Sequence, residues 1–252
     1  MKKGVRVLSL ILTGVFFVSP LAVYAFSADL LNNIDISAAI GPSWYNASDT
    51  TMPIVSGETD GLLISHVSSD AVYRLGVGYH FFTTSLNQRT FLNDLLIQLN
   101  LYHSKATLNG DVLEYGSSCC DNYTFNAPLE TTSLMLDVKP TLLTFHRFSP
   151  YAIAGVGVSW NHMSFSETAD AAAYASGSVD LPSKTHASVA YDAGAGVRYD
   201  ITNQMSASIE YLFTYLGDFS PSAAASTPQT VLGAPSFSVH TQAALLGISW
   251  KF

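Results

Sequence analysis

The last sixteen residues, Phe237 to Phe252, alternate between two faces along their whole length, and the chain stops on an aromatic. Trp250, Ile248, Leu246 and Ala244 share a face with Phe252, while Lys251, Ser249, Gly247 and Thr241 fall on the other. Successive side chains of a β-strand point to opposite faces. The segment therefore reads as one strand with an apolar side and a polar side.

The same alternation recurs often enough to place eight strands. They run near Ile34 to Tyr45, Ala71 to Phe81, Leu95 to Tyr102, Ser133 to Leu142, Ala154 to Asn161, Ser188 to Tyr199 and Ser206 to Thr214, with the terminal strand last. An even number of strands of roughly ten residues fits a small transmembrane barrel. Connections alternate in length: those around 47–69, 105–130, 165–184 and 216–236 are long, and those after the second, fourth and sixth strands are shorter. Short inner turns and long outer loops are expected of such barrels, so the long loops are assigned to the cell exterior. The predicted fold is all-β, an eight-stranded antiparallel up-and-down transmembrane β-barrel with four long extracellular loops.

Residues 1–25 read as an export signal, leaving 26–252 for the barrel domain. Lys2, Lys3 and Arg6 precede an apolar run from Val7 to Val18, and Val23-Tyr24-Ala25 supplies a small-residue cleavage site. No cysteine follows that site, so a lipid anchor is not indicated. Removing the signal leaves eight Lys and Arg against nineteen Asp and Glu, a balance that argues against nucleic acid. The chain is 48% hydrophobic and only 12% charged, yet no long apolar run follows the signal. Strands that show only every second residue to lipid give that combination.

Alternation alone does not say which face is wet, because a soluble sandwich alternates too. Aromatics at strand ends tip the choice, as in lipid-facing girdles: Trp44, Tyr45, Tyr79, Phe81, Tyr151, Trp160, Tyr199, Tyr211, Phe213, Tyr215, Trp250 and Phe252. The opposite face is rich in Gly and Ser, with isolated charges. With the terminal strand and the segments Pro150–Gly157 and Tyr191–Tyr199, the chain resembles the OmpA-type, OmpX-like outer-membrane barrels from Ile34 to Phe252. The resemblance implies a monomeric, non-enzymatic protein of the bacterial outer membrane, in contact with lipid and lipopolysaccharide and without a cofactor. It further implies that Leu246, Ile248, Trp250 and Phe252 form the insertion signal read by the barrel-assembly machinery. The surface loops would serve envelope integrity and adhesion to a host or another cell. No peptidoglycan-binding domain is expected after Phe252.

Arg74, Asp137, Lys139, Asp192, Arg198, Glu210 and Lys251 fall on the polar face, where a charge in a low-dielectric interior needs a partner. Arg74 and Arg198 are each expected to reach at least one of Asp137, Asp192 and Glu210. The cluster reads as a plug, or alternatively as the gate of a narrow channel for ions or small hydrophobic solutes, since eight strands enclose little more than their own side chains. His162-Met163-Ser164 with Glu167 is a candidate for a lipid hydrolase, a less favoured reading because it reproduces no hydrolase motif. Cys119 and Cys120 could form a vicinal disulfide, stay as thiols or bridge to another chain; they fit no zinc pattern, and no metal site is expected. Acids such as Asp49, Glu58, Asp111 and Asp180 would make the loops acidic, either merely solvated or binding divalent cations or a basic partner.

Overall fold

Within residues 33–55, 58–81, 94–118, 120–169, 178–223 and 232–252, which the computed structural model describes, nearly all of the chain is extended. The strands are β1 (Ile34–Ala47), β2 (Thr50–Val55), β3 (Glu58–Ser69), β4 (Ala71–His80), β5 (Asp94–Leu113), β6 (Asp121–Thr141), β7 (Phe148–Ala169), β8 (Asp180–Asp200), β9 (Met205–Phe219) and β10 (Phe237–Lys251). Eight of them close a ring with every pair antiparallel: β1, β4, β5, β6, β7, β8, β9, β10 and back to β1. The remaining two, β2 and β3, form a hairpin above β1 and β4, with β3 laid along the upper part of β5.

The ring has a turn end and a far end. At the turn end β6 passes to β7 through a tight turn in which Phe145 and Phe148 exchange both backbone hydrogen bonds, with His146 at φ 57. Thr202 caps the next turn, its hydroxyl accepting the N–H groups of Gln204 and Met205 at 3.2 and 2.9 Å. Strand ends β1 and β10 meet here too, the Phe252 N–H donating to the carbonyl of Ile34.

Sequence periodicity and strand length differ at the far end, and the reason is physical. On β5 the outward residues are Leu95, Ile97, Leu99 and Leu101, then His103, Lys105, Thr107, Asn109 and Asp111. Its inward residues are Asp94, Gln98 and Asn100, then Ala106, Leu108 and Val112. The inward–outward alternation persists along β5, yet the apolar side changes face. Strand β6 does the same: Leu134, Leu136 and Val138 face out, but higher up Phe125, Ala127 and Leu129 face in. Apolar groups leave water wherever they can, so they turn outward beside lipid and inward where the wall stands in water.

This inversion corrects the predicted loops. Most of 105–130 and half of 165–184 is strand, with β5 and β6 joined across 114–120 and β7 and β8 across 170–179, while 47–69 holds β2 and β3. Only 216–236 keeps a long connection, since β9 stops at Phe219 and β10 starts at Phe237. At about 3.3 Å per residue, the 20 to 22 residues of β5 to β8 far exceed a hydrocarbon layer of about 30 Å. The upper half of the barrel is a stalk.

The outward apolar band spans Ile36 to Trp44 on β1 and Ala152 to Trp160 on β7, close to the nine to eleven residues that cross a bilayer. Within it Leu75, Ile209 and Leu246 are more than 60% exposed. Aromatic pairs lie near its borders, Tyr191 on Tyr215 above and Phe148 against Tyr199 below, each with ring centres 4.9 Å apart. Tyr45 and Tyr151 do not belong to this girdle: both point inward and are buried, because they have the parity of the polar face.

Inside the stalk, Met52, Leu62, Leu108, Phe165, Phe219 and Phe237 have no exposed surface at all. Phe125 stacks on Phe165 with ring centres 5.5 Å apart. Each such side chain contributes roughly 1.5–3 kcal/mol by leaving water. The stalk is filled, not hollow.

The stalk wall parts between β8 and β9. β8 stays paired with β7 up to Asp180, but its ladder with β9 begins only at Tyr191 opposite Tyr215. Above that point β9 bends at Gly217, whose φ of +83 suits a residue without a Cβ, and leans into the barrel. Side chains of β7 replace the missing ladder: Ser159 Oγ donates to the Leu216 carbonyl at 2.6 Å, and Asn161 Nδ2 to the Leu216 and Asp218 carbonyls at 2.8 and 3.3 Å. The bent carbonyls thus keep partners after burial.

Candidate functional site: the closed lumen

Register brings the inward charges of the membrane band together. Arg74 on β4 faces Glu210 on β9 across the lumen, its guanidinium donating to both carboxylate oxygens, with Nη2 2.9 Å from Oε1. Lys139 Nζ lies 3.5 Å from the same Oε1, and the Tyr151 hydroxyl donates to it at 2.7 Å. All four residues are buried. A two-pronged Arg–carboxylate pair fixes geometry as well as charge, so this layer is a rigid crossbar.

Asp137 and Asp192 form the adjoining layer. Asp137 Oδ2 accepts from Asn100 Nδ2 at 2.6 Å and from the Tyr102 hydroxyl at 3.1 Å. Neither oxygen of Asp192 has a hydrogen-bond partner among the described residues, nor does Asp137 Oδ1. Arg198 differs from the expectation: it reaches neither of these aspartates nor Glu210. Its Nη1 lies 3.4 Å from Asp94 Oδ2 and its Nε 3.3 Å from Asp200 Oδ1. Arg198 stands six residues beyond Asp192 on β8, about 20 Å along a strand, so its partners are those of the turn end.

That end carries a second cluster which the sequence reading did not single out. His80 Nδ1 sits 2.9 and 2.8 Å from the two oxygens of Asp94, and its Nε2 is 3.9 Å from Asp35 Oδ2. His80 shares parity with Arg74, and Asp94 with Asn100, so alternation already placed them inward. With Arg198, Asp200 and Lys251 they line an open vestibule of about 430 Å³. Past the vestibule the spaces shrink to about 30 Å³ beside Arg74 and Glu210 and about 20 Å³ beside Tyr102 and Leu212, room for one or two waters each. The filled stalk follows.

His162, Ser164 and Glu167 do not assemble as a hydrolase site. His162 Nδ1 hydrogen-bonds the Thr185 hydroxyl at 3.0 Å on the outer surface, where it and Ser164 line a polar groove with Lys105 and Glu130. Glu167 has the opposite parity and faces inward, where its Oε2 accepts the Val179 N–H at 3.2 Å. Burial pushes the Glu167 carboxyl up to about 7, with Asp60 and Glu114 adding to the rise and the Val179 bond opposing it. Cys119 lies outside the described residues, so the expected pairing with Cys120 does too. Leu246, Ile248, Trp250 and Phe252 all point outward in the apolar band, between 44 and 63% exposed.

Comparison with known proteins adds the family. No curated protein matches the chain. Among solved structures it is similar to the outer membrane protease OmpT from Escherichia coli at 8% identity and a TM-score of 0.49, covering 88% of this chain and 97% of that one. It is similar to the outer membrane protein OprG from Pseudomonas aeruginosa at 15% identity and 0.39, covering 88% and 97%. Ail, the attachment invasion locus protein of Yersinia pestis, matches at 15% identity and 0.32, covering 87% and 99%. A family model for the outer membrane protein beta-barrel domain matches residues 8–252. With a closed ring of eight antiparallel strands and an apolar belt around it, the chain belongs to this outer membrane protein β-barrel family.

Proposed function

We propose that this barrel is a non-conducting, non-enzymatic scaffold that anchors a surface stalk, serving envelope integrity and contact with a host or another cell. The closed lumen is the observation that carries the reading: a charged crossbar of Arg74, Lys139 and Glu210 in the membrane band, and above it apolar side chains without exposed surface. A conduit for ions would have to break both. The short β6–β7 and β8–β9 turns lie at one end, and the wall that continues beyond the apolar band lies at the other, which supports an exterior position for the far end. The polar outer wall of the stalk, carrying His103, Lys105, Asn109 and Asp111 on β5, is the surface offered to lipopolysaccharide head groups and to a cell-surface ligand. Leu246, Ile248, Trp250 and Phe252 present to the assembly machinery the face that later meets lipid.

Planar-bilayer recording tests the scaffold against the narrow channel. The expected outcome is silence from the wild type and from Glu210→Gln, because the apolar stalk closes the path whatever the crossbar does. Discrete conductance that changes on Glu210→Gln or Arg74→Met would establish the channel instead. For surface contact, replacing 104–131 of the β5–β6 hairpin by a short turn should abolish cell binding and leave membrane insertion intact.

A further inference from the structure

The register places Asp137 on β6, Gly155 on β7 and Asp192 on β8 in one inward row. A Cβ on Gly155 would come 2.4 Å from Asp137 Oδ1 and 2.5 Å from Asp192 Oδ1. The two oxygens therefore crowd one space that only a glycine leaves open, separated by no more than the sum of those distances. Both residues are buried, Asp137 at 0% and Asp192 at 4% exposure, and neither oxygen has a hydrogen-bond partner among the described residues. Asp192 has none at Oδ2 either.

The surrounding charges offset this only in part. The charged and titratable groups facing the pair are Arg74 from β4, Tyr102 from β5, Lys139 from β6, Tyr151 from β7 and Glu210 from β9. Arg74 and Lys139 are both committed to Glu210, so two cations stand against three carboxylates. Arg198 is held by Asp94 and Asp200 at the turn end. A buried carboxylate needs a compensating charge or donors, and two that face each other need it most.

We propose that the Asp137–Asp192 pair is a binding site for one small positive charge, a proton or an alkali cation, held between Asp137 Oδ1 and Asp192 Oδ1 over Gly155. It is a site built into the lumen wall, and it does not depend on the scaffold or channel reading, since either can carry a bound cation.

The test is carbon NMR of the intact barrel in detergent, labelled at the aspartate carboxyl carbons and titrated at neutral pH in sodium, potassium or choline chloride. A single carboxyl in the acid form in choline, lost in Asp192→Asn, assigns the charge as a proton. Ionised signals that move saturably with sodium or potassium but not with choline, and no longer do so in Asp137→Asn, assign an alkali cation. Both carboxyls ionised and indifferent to all three salts would overturn the site. The wild-type titration alone separates these outcomes if either variant fails to fold.

Discussion

Glu167 lies in the stalk, outside the lipid band, with its carboxyl turned inward and accepting the Val179 N–H. Its folded-state value of about 7 stands above its ordinary 4.5, so between those limits the folded state binds more protons than the unfolded one. The contribution of Glu167 to stability is then fully present below 4.5 and is lost as pH rises through 7. Asp60 is displaced upward by burial too and adds in the same direction. Limited proteolysis of the stalk should be faster at pH 8 than at pH 5, and Glu167→Gln should slow it at pH 8 with little change at pH 5. An unchanged pH profile in that variant would remove Glu167 from the account. At this scale alternation revealed which residues face inward, Arg74, Asp137 and Glu210 among them, but not which meet. Parity fixes a face and leaves height undetermined, which is why Arg74 finds Glu210 while Arg198 finds Asp94.

Strands carry their own lesson, visible on β6. Leu136 and Thr124 occupy the same outward row of one strand, yet one faces hydrocarbon and the other water. Leu136→Arg should cost about 2–4 kcal/mol, as a cation on the lipid face of a barrel does. Thr124→Arg should stay within about 0.5 kcal/mol, as an ordinary surface change. Buried in the stalk, Phe165→Ala should cost about 3–5 kcal/mol. Urea unfolding in lipid vesicles measures all three, and equal costs for the two arginines would contradict the inversion. The membrane-band strands were legible because their apolar residues keep one parity. The stalk was not, since residues such as Leu108 and Phe125 take the opposite parity and look like a pattern that has ended. The bend of β9 was hidden for a different reason: Ser159 and Asn161 hold its carbonyls from β7, and such a bond leaves no periodic trace.

The whole molecule is a membrane cylinder continued as a solid post. Trp44 and Trp160 stand near the upper border of the apolar band and Trp250 near the lower one, all outward. Quenchers placed shallow in the bilayer should therefore dim all three tryptophans more than quenchers at its midplane, and water-soluble quenchers added outside should reach Trp44 and Trp160 before Trp250. A deep position for Trp160 would move the band and with it the stalk. The parted seam has a consequence for life in a crowded membrane. From Leu181 to Ala190 the rim of β8 that faces β9 has no ladder, although the Ser222 N–H donates to the Pro182 carbonyl at 2.9 Å, and a rim without a ladder invites a neighbouring chain to zip onto it. Pro182 has no N–H to lend, and Lys184 would drag its charge into any such union. Both features oppose strand addition along this part of the rim.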